Sequence, residues 1–213
     1  MRNNQTLEQV SNVAESKVQL LKNSKRKYIL SSFMAGMFIG LGILLTFTVG
    51  GVSSGLPTNK ILMGVSFGIA LSLVVVFGTE LFTGNNMVGV TGMLNKAITF
   101  KDMIFMWIAA YIGNIVGSVV LAIIYVFSNS ASKSVVDFIV KVSKVKVAAL
   151  PQELFFKGIL CNILVCLAVL AGIKLKEETA RLIMVFWCLF AFITAGFEHS
   201  VANMTLLMMG NYV

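Results

Sequence analysis

The chain has 213 residues, of which 57% are hydrophobic and 12% are charged, and its formal net charge is +8 at pH 7. This composition excludes a soluble globular domain, since several apolar runs reach the ~20 residues that cross a bilayer. The basic residues stand in short segments between these runs, so they indicate membrane topology and argue against a nucleic-acid partner. We therefore predict a single, all-helical, multi-pass membrane domain over residues 1–213.

The N-terminal segment, residues 4–22, has its apolar residues on one helical face and its charges off that face. This pattern predicts an amphipathic helix at the membrane surface or against a neighbouring subunit. A basic cluster comes directly before the first apolar run, and eleven Lys and Arg fall on that side of the predicted topology against five on the other. Such an excess indicates a cytoplasmic N-terminus in the cell membrane.

Five apolar runs follow, and two of them are too long for one straight span. The runs of ordinary length cover residues 28–49, 103–127 and 153–173. Residues 61–94 and 182–209 exceed the ~20 residues of one span. Each is interrupted by polar residues and glycine, at 77–86 and 196–203. We predict that both helices are broken at membrane depth. The segment 128–151 predicts a short helix or an ordered loop on the outer face.

The two interruptions resemble each other. The shared residues are Gly78, Glu80 and Asn86 in one and Gly196, Glu198 and Asn203 in the other. We interpret the two glutamates as caps for backbone amides that the breaks leave free, because unpaired amides in lipid are costly. The similarity predicts two three-span units, residues 28–127 and 152–213. Such inverted repeats with broken helices form the substrate site of many transporters, and the dipoles at the N-termini of the half-helices suit a small anion.

The only histidine in the chain, His199, lies in the second interruption, beside Glu198 and close to Gly196. An ionisable side chain at bilayer depth must face protein or a water-filled path, which favours a functional site; packing against a neighbouring helix is the alternative. An imidazole, with a reference pKa of ~6.5, can exchange a proton near neutral pH. The sequence leaves open whether a permeating anion would take its proton from His199 or from water.

Four segments resemble motifs of the formate/nitrite transporter family and keep their order in that family. They are Glu80-Leu81-Phe82-Thr83-Gly84, Gly113-Asn114-Ile115-Val116-Gly117, residues 155–162 from Phe155 to Asn162, and residues 197–204 from Phe197 to Met204. The last segment is the most specific, because it surrounds the histidine. The segments around Asn162 and Met204 are most similar to the nitrite-channel branch, with the hydrosulfide branch next.

The resemblance implies a homopentamer of aquaporin-like protomers, each with its own pore. It also implies the following roles: an outer constriction at Phe67 and Phe192, an inner constriction at Leu71 with Leu81 beside it, a polar centre of His199, Thr83 and Asn162, and an anion-attracting Lys157. Between two apolar constrictions a bare anion meets a large desolvation cost, whereas a neutral acid does not. The resemblance thus implies a channel or transporter for small monovalent weak-acid anions, namely nitrite, formate or hydrosulfide.

The chain departs from the family in one respect, because family members continue through a sixth span that this sequence lacks. We therefore expect an incomplete second repeat, and we favour a fragment of a longer reading frame over a truncated protein.

Three alternatives to an anion channel stay open. They are an aquaporin-type pore for neutral solutes, an intramembrane enzyme, and a non-conducting fragment or assembly partner. The first is disfavoured because the sequence lacks paired Asn-Pro-Ala motifs. An enzyme is disfavoured because the lone histidine has no nucleophile-base pattern or HExxH motif beside it, and the three cysteines lack metal-ligand spacing. We predict no enzymatic activity, no metal and no cofactor.

Overall fold

The computed structural model describes residues 2–212, with side chains from residue 5 onward, and the regular structure in that range is entirely helical. The helices are α1 (Arg2–Asn23), α2 (Lys25–Val52), α3 (Asn59–Val76), α4 (Phe82–Leu94), α5 (Phe100–Phe127), α6 (Lys133–Val147), α7 (Pro151–Lys174), α8 (Glu178–Ala195) and α9 (Ser200–Tyr212). Five of them, α2, α3, α5, α7 and α8, are long and apolar enough to cross a membrane. The predicted fold class, an all-helical multi-pass membrane protein, is confirmed.

Both over-long apolar runs are broken, as the sequence predicts. The first break separates α3 from α4 and the second separates α8 from α9. Each has a glycine in the left-handed region within two residues of the end of the first half-helix, Gly78 with φ 60° and Gly196 with φ 76°. A residue with a Cβ is strained at such angles, so glycine permits the chain to leave the helix there.

The breaks are shorter than predicted. They cover residues 77–81 and 196–199, whereas the sequence pattern suggested 77–86 and 196–203. Asn86 and Asn203 therefore lie inside α4 and α9 rather than in the breaks. The reason is physical: a broken helix in a membrane has to restart as soon as possible, because helical hydrogen bonds satisfy the backbone groups that lipid cannot.

The Gly113–Gly117 motif holds α5 against α2. A Cβ added at Gly117 would lie 2.0 Å from the carbonyl oxygen of Phe33, and one added at Gly36 would lie 2.2 Å from the carbonyl oxygen of Asn114. No side chain fits at either position without moving the backbone of the other helix. Small residues on both helices are thus what allow the two spans to approach closely.

The N-terminal helix α1 packs on its own chain. Its apolar face, with Val10, Ala14 and Val18 at 5% exposure or less, joins a cluster that includes Val88 of α4. The sequence pattern predicts the membrane surface or a neighbouring subunit as the partner of this helix, whereas the structure places its apolar face on α4. A Cβ added at Gly92 would lie 2.4 Å from the Cβ of Ala14, so the contact is close.

Residues 128–151, predicted to be a short helix or an ordered loop, contain the helix α6. This helix packs on α9 much as α1 packs on α4. Ile139 and Ser143 of α6 take the places of Val10 and Ala14. Gly210 of α9 lies against Ser143, where an added Cβ would be 2.2 Å from the hydroxyl oxygen. The two amphipathic helices α1 and α6 thus pack in corresponding ways on the second half-helices, α4 and α9.

Candidate functional site

His199 lies directly before α9, with 5% of its surface exposed, and both ring nitrogens have partners. Nδ1 accepts a hydrogen bond from the backbone N–H of Ala202 at 3.1 Å. Nε2 lies 3.0 Å from Oγ1 of Thr83. Since a backbone N–H can only donate, Nδ1 carries no proton, and in the neutral ring Nε2–H donates to Thr83. The imidazole thus caps α9 and at the same time joins the two broken helices.

Phe192 covers one face of the imidazole and is itself contacted by Phe67. The ring of Phe192 is nearly parallel to the ring of His199, with centroids 5.7 Å apart and an interplanar angle of 10°. Phe67 meets Phe192 edge to face at 5.6 Å. Both phenylalanine side chains are 1% exposed. The pair therefore forms a dry, closed contact beside His199, at the place where the resemblance predicts the outer constriction.

Leu71 and Leu81 are also buried, at 1% and 3% exposure. They line a cavity of about 200 Å³, the α1 cavity, together with Lys17 and Asn85. Leu81 stands two residues before Thr83, the hydrogen-bond partner of His199. The structure thus brings the predicted inner apolar residues to the side of the polar centre that faces α1.

A second cavity, of about 390 Å³, opens beside α6, and we call it the α6 cavity. It is lined by the start of α3, by α6 and by the second break, and it includes Lys60, Lys146, Glu198 and His199. The two cavities lie at opposite ends of α3, which begins at Asn59 and ends at Val76. A path between them would pass the buried contacts of the phenylalanines, His199 and the leucines.

The two glutamates do not have the role that the sequence suggested. Glu80 accepts hydrogen bonds from Lys17 Nζ at 2.7 Å and from Asn85 Nδ2 at 2.9 Å. Glu198 accepts from Lys146 Nζ and, at 2.8 Å, from Asn203 Nδ2. Among the described residues their carboxylates cap no backbone amide, so our interpretation as amide caps was wrong.

The two clusters correspond to each other. In both, a lysine from an amphipathic helix and an asparagine five residues after the glutamate hold one carboxylate. The α4 residue that matches Asn203 is consequently Asn85, whereas the sequence pattern suggested Asn86. A buried carboxylate needs such a countercharge, because lipid and apolar packing offer it no solvation.

At the first break, the side chain that bonds to free backbone groups is Asn114 and not Glu80. The Nδ2 of Asn114 donates to the carbonyl oxygens of Ser32, at 2.7 Å, and Glu80, at 3.0 Å, and its Oδ1 accepts from the backbone N–H of Phe82, at 2.9 Å. It is fully buried. Asn114 therefore fixes the first break to α2 and α5, and with it the adjacent Thr83.

The remaining predicted polar residues, Asn162 and Asn86, form a hydrogen-bonded pair beside Thr83. Asn162 of α7 donates through Nδ2 to the carbonyl oxygen of Thr83 at 2.9 Å and accepts from Asn86 Nδ2 at 3.3 Å. Both asparagines line an open groove of about 800 Å³ along α7, the α7 groove, to which His199 and Thr83 also contribute. Asn162 thus supports the backbone of the residue that contacts His199.

The backbone carbonyl oxygen of Lys157 accepts a hydrogen bond from the backbone N–H of Glu198 at 3.4 Å, beside His199. The side chain of Lys157 is 42% exposed and its Nζ lies 3.5 Å from the carboxylate of Glu153, one turn away. It lines neither the α1 cavity nor the α6 cavity. The lysines that do line them, Lys17, Lys60 and Lys146, were not singled out from the sequence. Their sequence signal, a basic residue on an amphipathic helix or at a helix start, is too common to identify them.

The fold and the site together define a class: a helical membrane protein in which two broken helices meet at a buried histidine. Residues 4–213 match the family model described as Formate/nitrite transporter. The chain belongs to the formate/nitrite transporter family, as its motifs predicted.

Two similar proteins support this assignment. The chain is 43% identical over 189 residues to the nitrite transporter NirC of Salmonella typhimurium, an alignment that covers 88% of this chain and 70% of the relative. It is 33% identical to the formate channel FocA of Haemophilus influenzae, with 89% and 69% covered.

Two solved structures share the fold. One, an FNT family ion channel, superposes with a TM-score of 0.91 at 38% identity and covers 97% of this chain and 82% of its own. The other, a pentameric formate channel with formate bound, has a TM-score of 0.80 at 28% identity, with 89% and 76% covered. The family and fold of this chain are those of channels and transporters.

Proposed function

We propose that this protein conducts small monovalent weak-acid anions across the cell membrane, with nitrite as the first candidate and formate and hydrosulfide as the others. The observation that carries the proposal is the hydrogen bond between His199 and Thr83, which lies between two buried apolar contacts. The relatives of this chain, a nitrite transporter and a formate channel, favour the same substrates. We further propose a homopentamer, because the similar formate channel is pentameric. We propose a cytoplasmic N-terminus because of the excess of Lys and Arg on that side of the membrane.

The apolar contacts set the main requirement on the substrate. A bare anion would lose its hydration between Phe67 and Phe192, and again between Leu71 and Leu81, at a large cost in free energy. A neutral acid would cross the same contacts far more readily. The chemistry therefore favours anions that take up one proton and lose their charge at accessible pH.

The hydrogen bonds of His199 bear on the source of that proton. An imidazolium carries a proton on both nitrogens, but Nδ1 faces the backbone N–H of Ala202 at 3.1 Å. In an imidazolium, the Nδ1–H and the N–H of Ala202 would point at each other, and both are donors. This position therefore suits the neutral imidazole. In our proposal His199 stays neutral and donates to Thr83, and the Thr83 hydroxyl uses its own proton to bind a substrate oxygen. The proton that neutralises the substrate comes from water in the cavity.

The test is uptake of nitrite and formate into proteoliposomes that contain the 213-residue chain, followed by stopped-flow fluorescence of an enclosed pH indicator. We expect uptake well above that of protein-free vesicles, and slower uptake of an anion of a strong acid such as nitrate. Conduction of uncharged solutes alone would favour the aquaporin-type alternative. Absence of any flux would favour the second function, that of a non-conducting assembly partner of such a channel.

A further inference from the structure

The α6 cavity contains one positive charge that the rest of the site does not neutralise. Three charged side chains line this cavity: Lys60, Lys146 and Glu198. Lys146 forms an ion pair with Glu198, so these two charges cancel. Among the residues that the structure describes, no carboxylate lies within ion-pair distance of Lys60. The net charge of the cavity wall is therefore that of the Lys60 ammonium.

The position of Lys60 suits an encounter with an anion that arrives from solution. Lys60 is the second residue of α3 and is exposed, whereas His199 at the inner end of the same cavity is buried. The N-terminus of α3 carries the positive end of the helix dipole, which adds to the charge of the ammonium. Clefts with low-dielectric walls and charges of one sign concentrate counter-ions and raise their rate of association.

We propose that Lys60 is the residue that attracts substrate anions into the α6 cavity, in the role that the sequence suggested for Lys157. This inference rests on the proposed function and specifies its entry step. Lys60 acts on capture and not on the passage of the constrictions, because it stands at the far end of the cavity from the phenylalanine contact. Its charge, and not its hydrogen-bonding geometry, is what matters.

The experiment measures nitrite uptake by the unmodified protein and by Lys60→Gln, Lys60→Arg and Lys144→Gln, at equal amounts in proteoliposomes. Lys144 is an exposed lysine of α6 that does not line the cavity, so it controls for a general loss of positive charge. Rates are recorded against nitrite concentration at about 10 mM and at about 300 mM ionic strength, since the Debye length falls from ~30 Å to under ~8 Å over that range.

We expect Lys60→Gln to lower uptake about three- to tenfold at low nitrite and low ionic strength, with the maximal rate at saturating nitrite unchanged. The difference shrinks at high ionic strength, and Lys60→Arg and Lys144→Gln behave like the unmodified protein. Equal uptake by Lys60→Gln, or an equal loss in Lys144→Gln, would overturn the role of Lys60 while the proposed function stands. No uptake by the unmodified protein would overturn both.

Discussion

At the scale of single residues, the contact between Thr83 and His199 is the most informative feature of the site. With a neutral His199, the Thr83 hydroxyl accepts from Nε2–H, and its own proton is left to donate. We expect Thr83→Val, which keeps the shape and removes the hydroxyl, to lower nitrite uptake about tenfold or more, because it leaves a buried N–H unpaired and removes the donor. Thr83→Ser restores the hydroxyl and serves as the control. Equal uptake by the Val and Ser variants would contradict this role.

The pH dependence of uptake tests whether His199 titrates. We expect His199→Asn to keep the pH profile of the unmodified protein, since an asparagine still offers an acceptor to the backbone N–H of Ala202 and does not titrate. In both proteins the rate then follows the pKa of the substrate acid. The measurement is uptake of nitrite and formate across about pH 5 to 8, which brackets the reference imidazole value. A flattened profile in His199→Asn would show that imidazole protonation drives permeation.

The exposure of the Lys157 side chain predicts that its replacement has little effect on uptake. Because this side chain is half-exposed and paired with Glu153, we expect Lys157→Met to change anion uptake by less than about twofold. The pentamer is expected to assemble as before. A strong loss of uptake in Lys157→Met, with assembly intact, would restore the electrostatic role that the resemblance implies.

At the scale of helices, the ion pairs between the amphipathic helices and the broken helices hold the site in place. Lys146 of α6 meets Glu198 directly beside His199, and its removal leaves a poorly solvated carboxylate. We expect Lys146→Met to destabilise the fold by about 3 kcal/mol or more. Lys144→Met, on the exposed side of the same helix, is the matched control. The readout is the thermal unfolding temperature of the detergent-solubilised protein, and equal temperatures for the two variants would contradict this account.

At the scale of the whole molecule, the charge distribution predicts which ends of the helices face the cytoplasm. Ser16 of α1 and Ser130, between α5 and α6, are both exposed. We expect a membrane-impermeant maleimide to label Ser130→Cys in intact cells, and to label Ser16→Cys only after the membrane is opened. The native cysteines are buried or half-buried, and the unmodified protein measures their background. Labelling of Ser16→Cys in intact cells would reverse the topology.

The exposed apolar surface bears on the assembly of the molecule. Phe105, Ile108, Ile112 and Val116 lie along one face of α5, each between 48% and 67% exposed in the single chain. Such a face requires lipid or another subunit as its partner. This requirement agrees with the proposed homopentamer, whose subunit count native mass spectrometry would measure directly.

The sequence by itself determined the membrane class, the spans, the presence of two breaks and the position of His199 in the second one. These features follow from local chemistry: a bilayer sets the length of each apolar run, and polar residues inside such a run have few permitted uses. The glycines at 78 and 196 marked both breaks for the same reason, because few other residues allow the chain to leave a helix there. The order of the motifs was sufficient for the family.

Only the tertiary structure decided which groups partner the buried charges. Lys17 and Glu80 are 63 residues apart in sequence, and Lys146 and Glu198 are 52 apart. α1 contains two lysines and α6 contains four, and the packing of α1 on α4 and of α6 on α9 selects one from each as the partner of a glutamate. The role of Asn114 was hidden likewise, since a GxxxG motif predicts close packing but not which backbone groups the intervening asparagine will reach. Contacts between distant segments depend on how helices cross, and no local pattern encodes that geometry.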